Sequence, residues 1–161
     1  QLKTYFLDCL VRAGVPGITQ DDRVEIPTPS FYAEVYGPDP NQHAVTTFAT
    51  LSSGGKKTLF KCCFAIAVHR LAVQLKAPLP ELLIVDSPMK NISERENRDQ
   101  FEGFYRLLYE LKSEELRDTQ LILIDKEFSA PDDQTSFVLF ERHMRPGDPD
   151  NPPLIPYYNG K

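Results

Sequence analysis

The sequence predicts an α/β fold with a mostly parallel sheet and flanking helices. Two apolar runs carry this prediction: residues 82–85 end at Asp86, and residues 121–124 repeat the pattern and end at Asp125. Continuous apolar runs of this length, bounded by turn residues, are typical of strands buried on both faces of a parallel sheet. The segment between them, residues 93–112, has a capping box and helical spacing of apolar residues. This order of strand, helix and strand predicts a right-handed parallel crossover.

A second long helix follows a Ser/Gly turn. Residues 51–58 read Leu-Ser-Ser-Gly-Gly-Lys-Lys-Thr, and apolar residues continue at three- and four-residue steps to about residue 75. A helix that starts here points its first N–H groups and the positive end of its dipole at the turn. Glycines let an anion approach the backbone closely, and Ser53 adds a hydroxyl donor. The turn suits a phosphate group, and it equally suits an ordinary Gly-rich turn before a buried helix.

The Ser/Gly turn is not a P-loop. That motif requires a glycine, four residues, and then Gly-Lys-Ser/Thr. When Gly55-Lys56 is taken as the anchor, Thr50 stands where the first glycine is required. An anchor at Lys57-Thr58 fails in the same way, so this turn is not the main nucleotide cradle.

Shorter elements surround this core within a single predicted domain, residues 1–161. They are a helix at 2–13, strands at 24–26 and 31–36, a last strand at 137–140, and a Pro-rich tail at 145–161. Prolines punctuate the two early strands, so we expect them at an edge or in a hairpin rather than at the centre of a sheet.

Composition narrows the class of protein. The chain of 161 residues is 41% hydrophobic, enough for one domain with a real core, and its net charge of -5 gives no broad attraction to nucleic acid. Cys9, Cys62 and Cys63 have no metal-binding spacing and predict reduced thiols in a cytoplasmic protein. No apolar run reaches membrane-spanning length, and no signal peptide is visible. The chain begins at Gln1 rather than Met, as we expect of a fragment or a processed protein.

Three motifs in this order resemble the carboxyl-terminal lobe of an ABC-type ATPase head. They are the Ser-Gly-Gly-Lys turn with its helix, the apolar strand that ends at Asp86, and the apolar strand followed by Asp125-Lys126-Glu127. The branch that the chain resembles most is that of SMC proteins and related double-strand-break repair ATPases. The resemblance covers residues 48–128, about half of the chain. It implies a P-loop NTPase-like fold.

The resemblance implies a nucleotide site completed across a dimer. Ser53 matches the signature serine of the family. Gly54 and Gly55 match the small residues whose backbone approaches the γ-phosphate held by the opposing head. Lys56 stands where the family usually has Gln or Glu. Ser52 aligns with the motif as well, so the register stays open by one residue.

Two departures from the family concern hydrolysis. Asp86 matches the Walker B aspartate, which holds Mg²⁺ through water; its alternative is a cap or turn residue. The catalytic Glu that follows in the family is replaced by Ser87, and a hydroxyl cannot act as a general base without its own activator. The usual His at the end of the next strand is replaced by Lys126. We therefore expect slow hydrolysis or another carboxylate, with Glu127 better placed than Glu94 or Glu96.

The resemblance also implies cofactors and partners. ATP and Mg²⁺ would bind only when an amino-terminal lobe of the same protein supplies a P-loop, so the chain alone is expected to be inactive. Two heads would form a homodimer with ATP sandwiched between them. Residues 1–13 would be the end of a coiled-coil arm, and the complete protein would act on DNA in repair, chromosome organisation or defence.

Two other functional classes stay open. A degenerate, non-catalytic ATPase-like scaffold domain is favoured by Ser87 and Lys126. An enzyme with Ser87 as its nucleophile is disfavoured, because no Gly-x-Ser-x-Gly elbow surrounds the serine and no His–acid pair can be assigned to it.

Overall fold

The computed structural model describes residues 1–39, 45–51, 54–86, 88, 98–125, 127–131 and 137–153. This part of the chain is a mixed α/β structure with an antiparallel and a parallel sheet. Its elements in chain order are α1 Leu2–Arg12, β1 Arg23–Glu25, β2 Glu34–Tyr36, β3 Val45–Thr47, α2 Gly54–Gln74, β4 Leu82–Asp86, α3 Arg98–Ser113 and β5 Gln120–Ile124.

Helices α1 and α2 pack against each other through aromatic side chains. The ring of Phe6 on α1 lies edge-on to Phe60 at 4.9 Å and to Phe64 at 5.3 Å between ring centroids. Beside this contact the buried Cys63 thiol donates a hydrogen bond to the backbone oxygen of Cys9, at 3.6 Å. The two predicted helices are thereby confirmed, and both contribute to one core. Val73, which the apolar spacing of α2 would place in the core, is 42% exposed.

Helix α3 approaches the end of α1 at a glycine. A Cβ atom on Gly103 would lie 3.0 Å from the backbone oxygen of Ala13, so only glycine permits this distance without a shift. Near this contact, Arg12 donates to the Glu110 carboxylate at 2.5 Å. The three helices therefore meet around the carboxyl end of α1. The first turns predicted for α3, with their capping box, lie outside the described residues.

Strands β1, β2 and β3 form an antiparallel meander. Val24 pairs with Val35, which in turn pairs with Thr46, and both valines are buried. Strands β1 and β2 pair antiparallel and β1 lies at an edge, as the prediction of edge or hairpin strands requires, whereas β2 lies at the centre of this sheet, contrary to the prediction. Residues 31–36 were predicted as one strand, but Phe31 has a positive φ of 55° in a turn and the strand begins only at Glu34.

Strands β4 and β5 are adjacent and parallel, as predicted, with Leu82 opposite Gln120 and Asp86 opposite Ile124. Within the described residues the parallel sheet consists of these two strands, and the other three strands form a separate antiparallel sheet rather than part of a mostly parallel one. The expectation that both faces of its strands are buried is wrong. Leu83 and Val85 belong to the core, because one face of the strand pair packs on it. Ile84 lies on the opposite face and is 56% exposed.

Residues 137–140 do not form the predicted last strand. They have no regular structure, and Val138 and Phe140 are 95% and 85% exposed. The described part of the Pro-rich tail contains a turn in which Arg145 donates its backbone N–H to Asn151. Within the described residues, no helix has the length and apolar character needed to cross a membrane.

Candidate functional site

Two carboxylates lie at the same edge of the parallel sheet. Because Asp86 pairs with Ile124, strands β4 and β5 end level with each other, and Asp125 follows directly. The Asp86 side chain is exposed, and Asp125 is half-buried. Open α/β sheets bind their ligands beyond the carboxyl ends of such strands. The position and the negative charge of this edge are therefore those expected of a site for a cation, or for phosphates bound through a cation.

The Asp125 carboxylate affects the pKa of one side chain on α2 and of one on α3. Burial, and to a smaller extent the Asp125 carboxylate, raise the pKa of the Cys62 thiol on α2 to about 11. The pKa of Tyr105 on α3 is also raised, mainly by burial and to a smaller extent by the Asp125 carboxylate. Cys62 lies eight residues after Gly54, or about 12 Å along the helix axis.

The segment after β5 is held against α3 by two tyrosines. Tyr105 donates its hydroxyl to the backbone oxygen of Glu127 at 2.8 Å, and Tyr109 donates to the backbone oxygen of Ser129. Beside these bonds lies a cleft of about 550 Å³. Its lining includes three carboxylates and one guanidinium: Glu102, Glu110, Glu114 and Arg106. Neither this cleft nor the role of the two tyrosines is predictable from the sequence, because the spacing of the tyrosines fits an ordinary apolar stripe.

Helix α2 begins with the two predicted glycines. Gly54 is exposed and Gly55 is buried, while the Thr58 hydroxyl donates back to the Gly54 oxygen at 3.0 Å. The first turn of α2 carries no acidic residue, so the positive end of its dipole is not offset locally. Lys56 is half-buried in this turn.

Two further lysines of α2 lie over an aromatic ring. The ammonium groups of Lys57 and Lys61 are 5.6 Å and 4.1 Å from the centre of the Phe48 ring. These cation–π contacts hold both lysine side chains against Phe48.

Three of the predicted site residues lie outside the described residues: Ser53, Ser87 and Lys126. The structure places the other five at the start of α2 and at the carboxyl ends of β4 and β5: Gly54, Gly55, Lys56, Asp86 and Glu127. Asp86 is the last residue of β4, and Glu127 comes three residues after the end of the adjacent, parallel strand β5.

The residues at this edge are compatible with magnesium. In the described part of the chain, no group of three or more His, Cys, Asp and Glu side chains is arranged to hold a metal ion. Mg²⁺ does not need such a cage, since it keeps several waters and is held by one or two carboxylates together with substrate phosphates. Asp86 is an oxygen ligand of this kind.

Arg70 forms a buried ionic cluster that the sequence did not predict. Its side chain, 5% exposed, donates to both carboxylate oxygens of Glu115 at 2.7 Å and to Asp8 at 2.5 Å. The Tyr5 ring lies 4.3 Å from the guanidinium. The cluster joins α1, α2 and the turn after α3. A charged residue at an apolar-stripe position was the only indication in the sequence.

No family model matches the chain, and no curated protein matches it significantly. The assignment of a function therefore depends on the motifs of the sequence and on the geometry of this edge.

Proposed function

We propose that the chain is the carboxyl-terminal lobe of an SMC-like ABC-type ATPase head. It would contribute the signature turn at Ser53, the Walker B residue Asp86 and the switch loop after β5 to ATP-dependent dimerisation of two heads. ATP hydrolysis would be slow. The process served would be DNA repair, chromosome organisation or defence against foreign DNA, in the cytoplasm.

One observation carries the proposal: the two parallel strands end level, with Asp86 as the last residue of β4 and Asp125 directly after β5. The register that pairs Asp86 with Ile124 places Asp86 and Asp125 at one edge. This is the edge where a nucleotide and its Mg²⁺ would bind in an open α/β sheet. Asp125 also helps to raise the pKa of Cys62 on α2, the helix that follows the proposed signature turn.

The uncovered face of the parallel pair supports an amino-terminal lobe as partner. Parallel sheets occur almost only with both faces covered, and two strands alone are marginally stable. Leu82 and Ile84 on β4, with Ile124 on β5, are nevertheless exposed. An amino-terminal lobe with the P-loop would extend this pair into a mostly parallel, P-loop NTPase-like sheet and cover these side chains.

The residues of the chain have separate tasks in this proposal. The N–H groups at Gly54 and Gly55, with the charge of Lys56, would bind the γ-phosphate held by the opposing head. Asp86 would hold Mg²⁺ through water, and the ion, when bound, would offset the phosphate charge. Glu127 would orient the attacking water, since Ser87 cannot serve as a base. Lys126 would place a positive charge near the γ-phosphate.

The test is steady-state ATP turnover by the complete protein, in which this chain is joined to its amino-terminal lobe. Asp86→Ala should abolish Mg²⁺-dependent turnover. Asp118→Ala is the control, because it removes a carboxylate that is 84% exposed in the turn before β5, and turnover should stay within about twofold.

Two results would contradict the proposal in different ways. Unchanged turnover in Asp86→Ala would remove the Walker B assignment. A complete protein that neither hydrolyses ATP nor dimerises with it would instead support the alternative, a non-catalytic scaffold domain, which the replacement of the catalytic Glu by Ser87 favours.

A further inference from the structure

Tyr105 is buried at the junction between α3 and the segment that follows β5. Its ring, 2% exposed, lies 5.0 Å from the Phe101 ring and 6.2 Å from the Phe128 ring. A buried tyrosine hydroxyl needs a polar partner, and here the partner is the backbone oxygen of Glu127 at 2.8 Å. The aromatic packing fixes the ring, and the ring fixes the position of the hydroxyl.

We propose that Tyr105 is a positioning residue for the edge of the parallel sheet at Asp86 and Asp125, where the nucleotide would bind. Its hydroxyl holds the main chain at Glu127, and so sets where the carboxylates of Asp125 and Glu127 stand relative to Asp86. The inference builds on the proposed ATPase function, in which Glu127 orients the attacking water. Tyr105 itself is too buried to touch a nucleotide, so it acts only through this segment.

The second tyrosine shows that the segment is anchored at more than one point. Tyr109, one helical turn further along α3, donates to the backbone oxygen of Ser129, two residues beyond Glu127. Its ring stacks on Phe137 at 5.8 Å. Tyr109 therefore holds the far part of the segment, whereas Tyr105 holds the residue nearest the proposed chemistry.

Loss of the Tyr105 hydroxyl should slow the reaction without weakening ATP binding. The ring of a phenylalanine keeps the aromatic packing, but the Glu127 oxygen loses its partner and the main chain is no longer fixed. A misplacement of about 1 Å at a reacting group can cost about a hundredfold in rate. The ATP-binding parts are elsewhere, in the proposed P-loop lobe and in the signature turn.

The experiment compares three hydroxyl deletions in the complete protein, by amide hydrogen exchange over residues 125–130 and by ATP turnover. Tyr105→Phe should speed exchange in this segment and lower kcat about 10- to 100-fold, with KM for ATP within about twofold. Tyr109→Phe should speed exchange at residues 129 and 130 with a kcat loss below about threefold. Tyr5→Phe removes a hydroxyl that donates to Gln74 at 3.0 Å on α2, and should change neither quantity.

The outcomes separate this inference from the proposed function. Unchanged exchange in Tyr105→Phe would overturn the inference, and so would faster exchange with an unchanged kcat. Equal kcat losses in Tyr105→Phe and Tyr109→Phe would reduce both tyrosines to a structural role and overturn it as well. If the wild-type complete protein does not hydrolyse ATP, the proposed function has failed, whereas the exchange rates still decide whether Tyr105 holds the segment.

Discussion

Glu127 follows β5 by three residues, and its backbone oxygen is anchored on α3 by Tyr105. A carboxylate at this place can serve as the general base that Ser87 cannot provide, and a general base is typically worth about a hundred- to ten-thousand-fold in rate. We expect Glu127→Gln to lower ATP turnover of the complete protein at least about a hundredfold. We expect Ser87→Glu, which restores the family residue, to raise it. Brisk turnover that survives Glu127→Gln would exclude Glu127 as the base.

The reactivity of the Cys62 thiol measures the effect of the Asp125 charge, and the measurement requires no nucleotide. Burial and, to a smaller extent, Asp125 raise the pKa of this thiol from 9.0 to about 11, so about a hundredfold less thiolate is present at pH 8 than for an ordinary cysteine. Iodoacetamide should therefore alkylate Cys62 about a hundredfold more slowly in the folded chain than in urea, as mass spectrometry can follow. Asp125→Asn should speed the reaction only in part, since burial is the larger cause. An Asp125→Asn rate equal to that of wild type would show that the Asp125 charge does not contribute to the raised pKa of the thiol.

Single residues were predictable where a local pattern determines them. Asp86 was expected at a strand end because an apolar run precedes it, and it lies there. Arg70 could not be predicted as the centre of an ionic cluster, because its partners Asp8 and Glu115 are 62 and 45 residues away in sequence. Tyr105 was missed for the same reason, since its partner is a backbone atom beyond the next strand.

At the scale of the elements, the buried Arg70 links α1, α2 and the turn after α3 through two ion pairs. Arg70→Ala would remove both ion pairs, and the free energy of unfolding should fall by about 2–3 kcal/mol, less than for fully buried partners because Asp8 and Glu115 can rehydrate. Arg70→Lys keeps the charge but loses the two-point contact with Glu115, so its loss should be smaller. The measurement is urea denaturation of the chain. Arg98→Ala, which breaks the exposed pair with Glu102, is the control and should cost less than about 0.5 kcal/mol. Equal losses in Arg70→Ala and Arg98→Ala would contradict the role of the cluster.

The two faces of β4 should respond differently to the same substitution. Leu83→Ala empties part of the core and should cost about 2–5 kcal/mol in the chain alone, whereas Ile84→Ala on the exposed face should cost less than about 1 kcal/mol. If an amino-terminal lobe covers the face, the cost of Ile84→Ala should rise by about 1 kcal/mol or more in the complete protein. Urea denaturation of both forms measures the difference. An equal, small cost in both would show that this face stays uncovered.

Whether a segment is a helix or a strand was easier to predict than which of its faces is buried. The parallel pair was correct, because two apolar runs joined by a helical segment leave few other arrangements. The exposed face of β4 could not be predicted, since Leu-Leu-Ile-Val contains no polar residue that would reveal the alternation of Leu83 and Ile84. Residues 137–140 have the composition of a strand, but no described strand offers them a partner, and local propensity alone does not form a sheet.

At the scale of the whole molecule, the described chain lacks part of what its motifs require. The proposed function gives the start of α2, the end of β4 and the segment after β5 a role in nucleotide binding, but the sequence contains no P-loop to hold a nucleotide. The chain alone should therefore show negligible ATP affinity by calorimetry. Micromolar binding to the chain by itself would contradict this expectation.

ATP-dependent dimerisation of the complete protein, measured by light scattering, tests the proposed head most directly. The wild-type protein should be monomeric without nucleotide and dimeric with ATP and Mg²⁺. Ser53→Arg should bind ATP as tightly as wild type yet remain monomeric, because a bulky cation at the signature turn blocks closure on the nucleotide of the opposing head. Ser30→Arg, which adds the same charge to an exposed turn, should dimerise normally. Loss of ATP binding in Ser53→Arg with dimerisation unchanged, or dimerisation that ignores ATP altogether, would contradict the assignment of this chain as a lobe of an ATPase head.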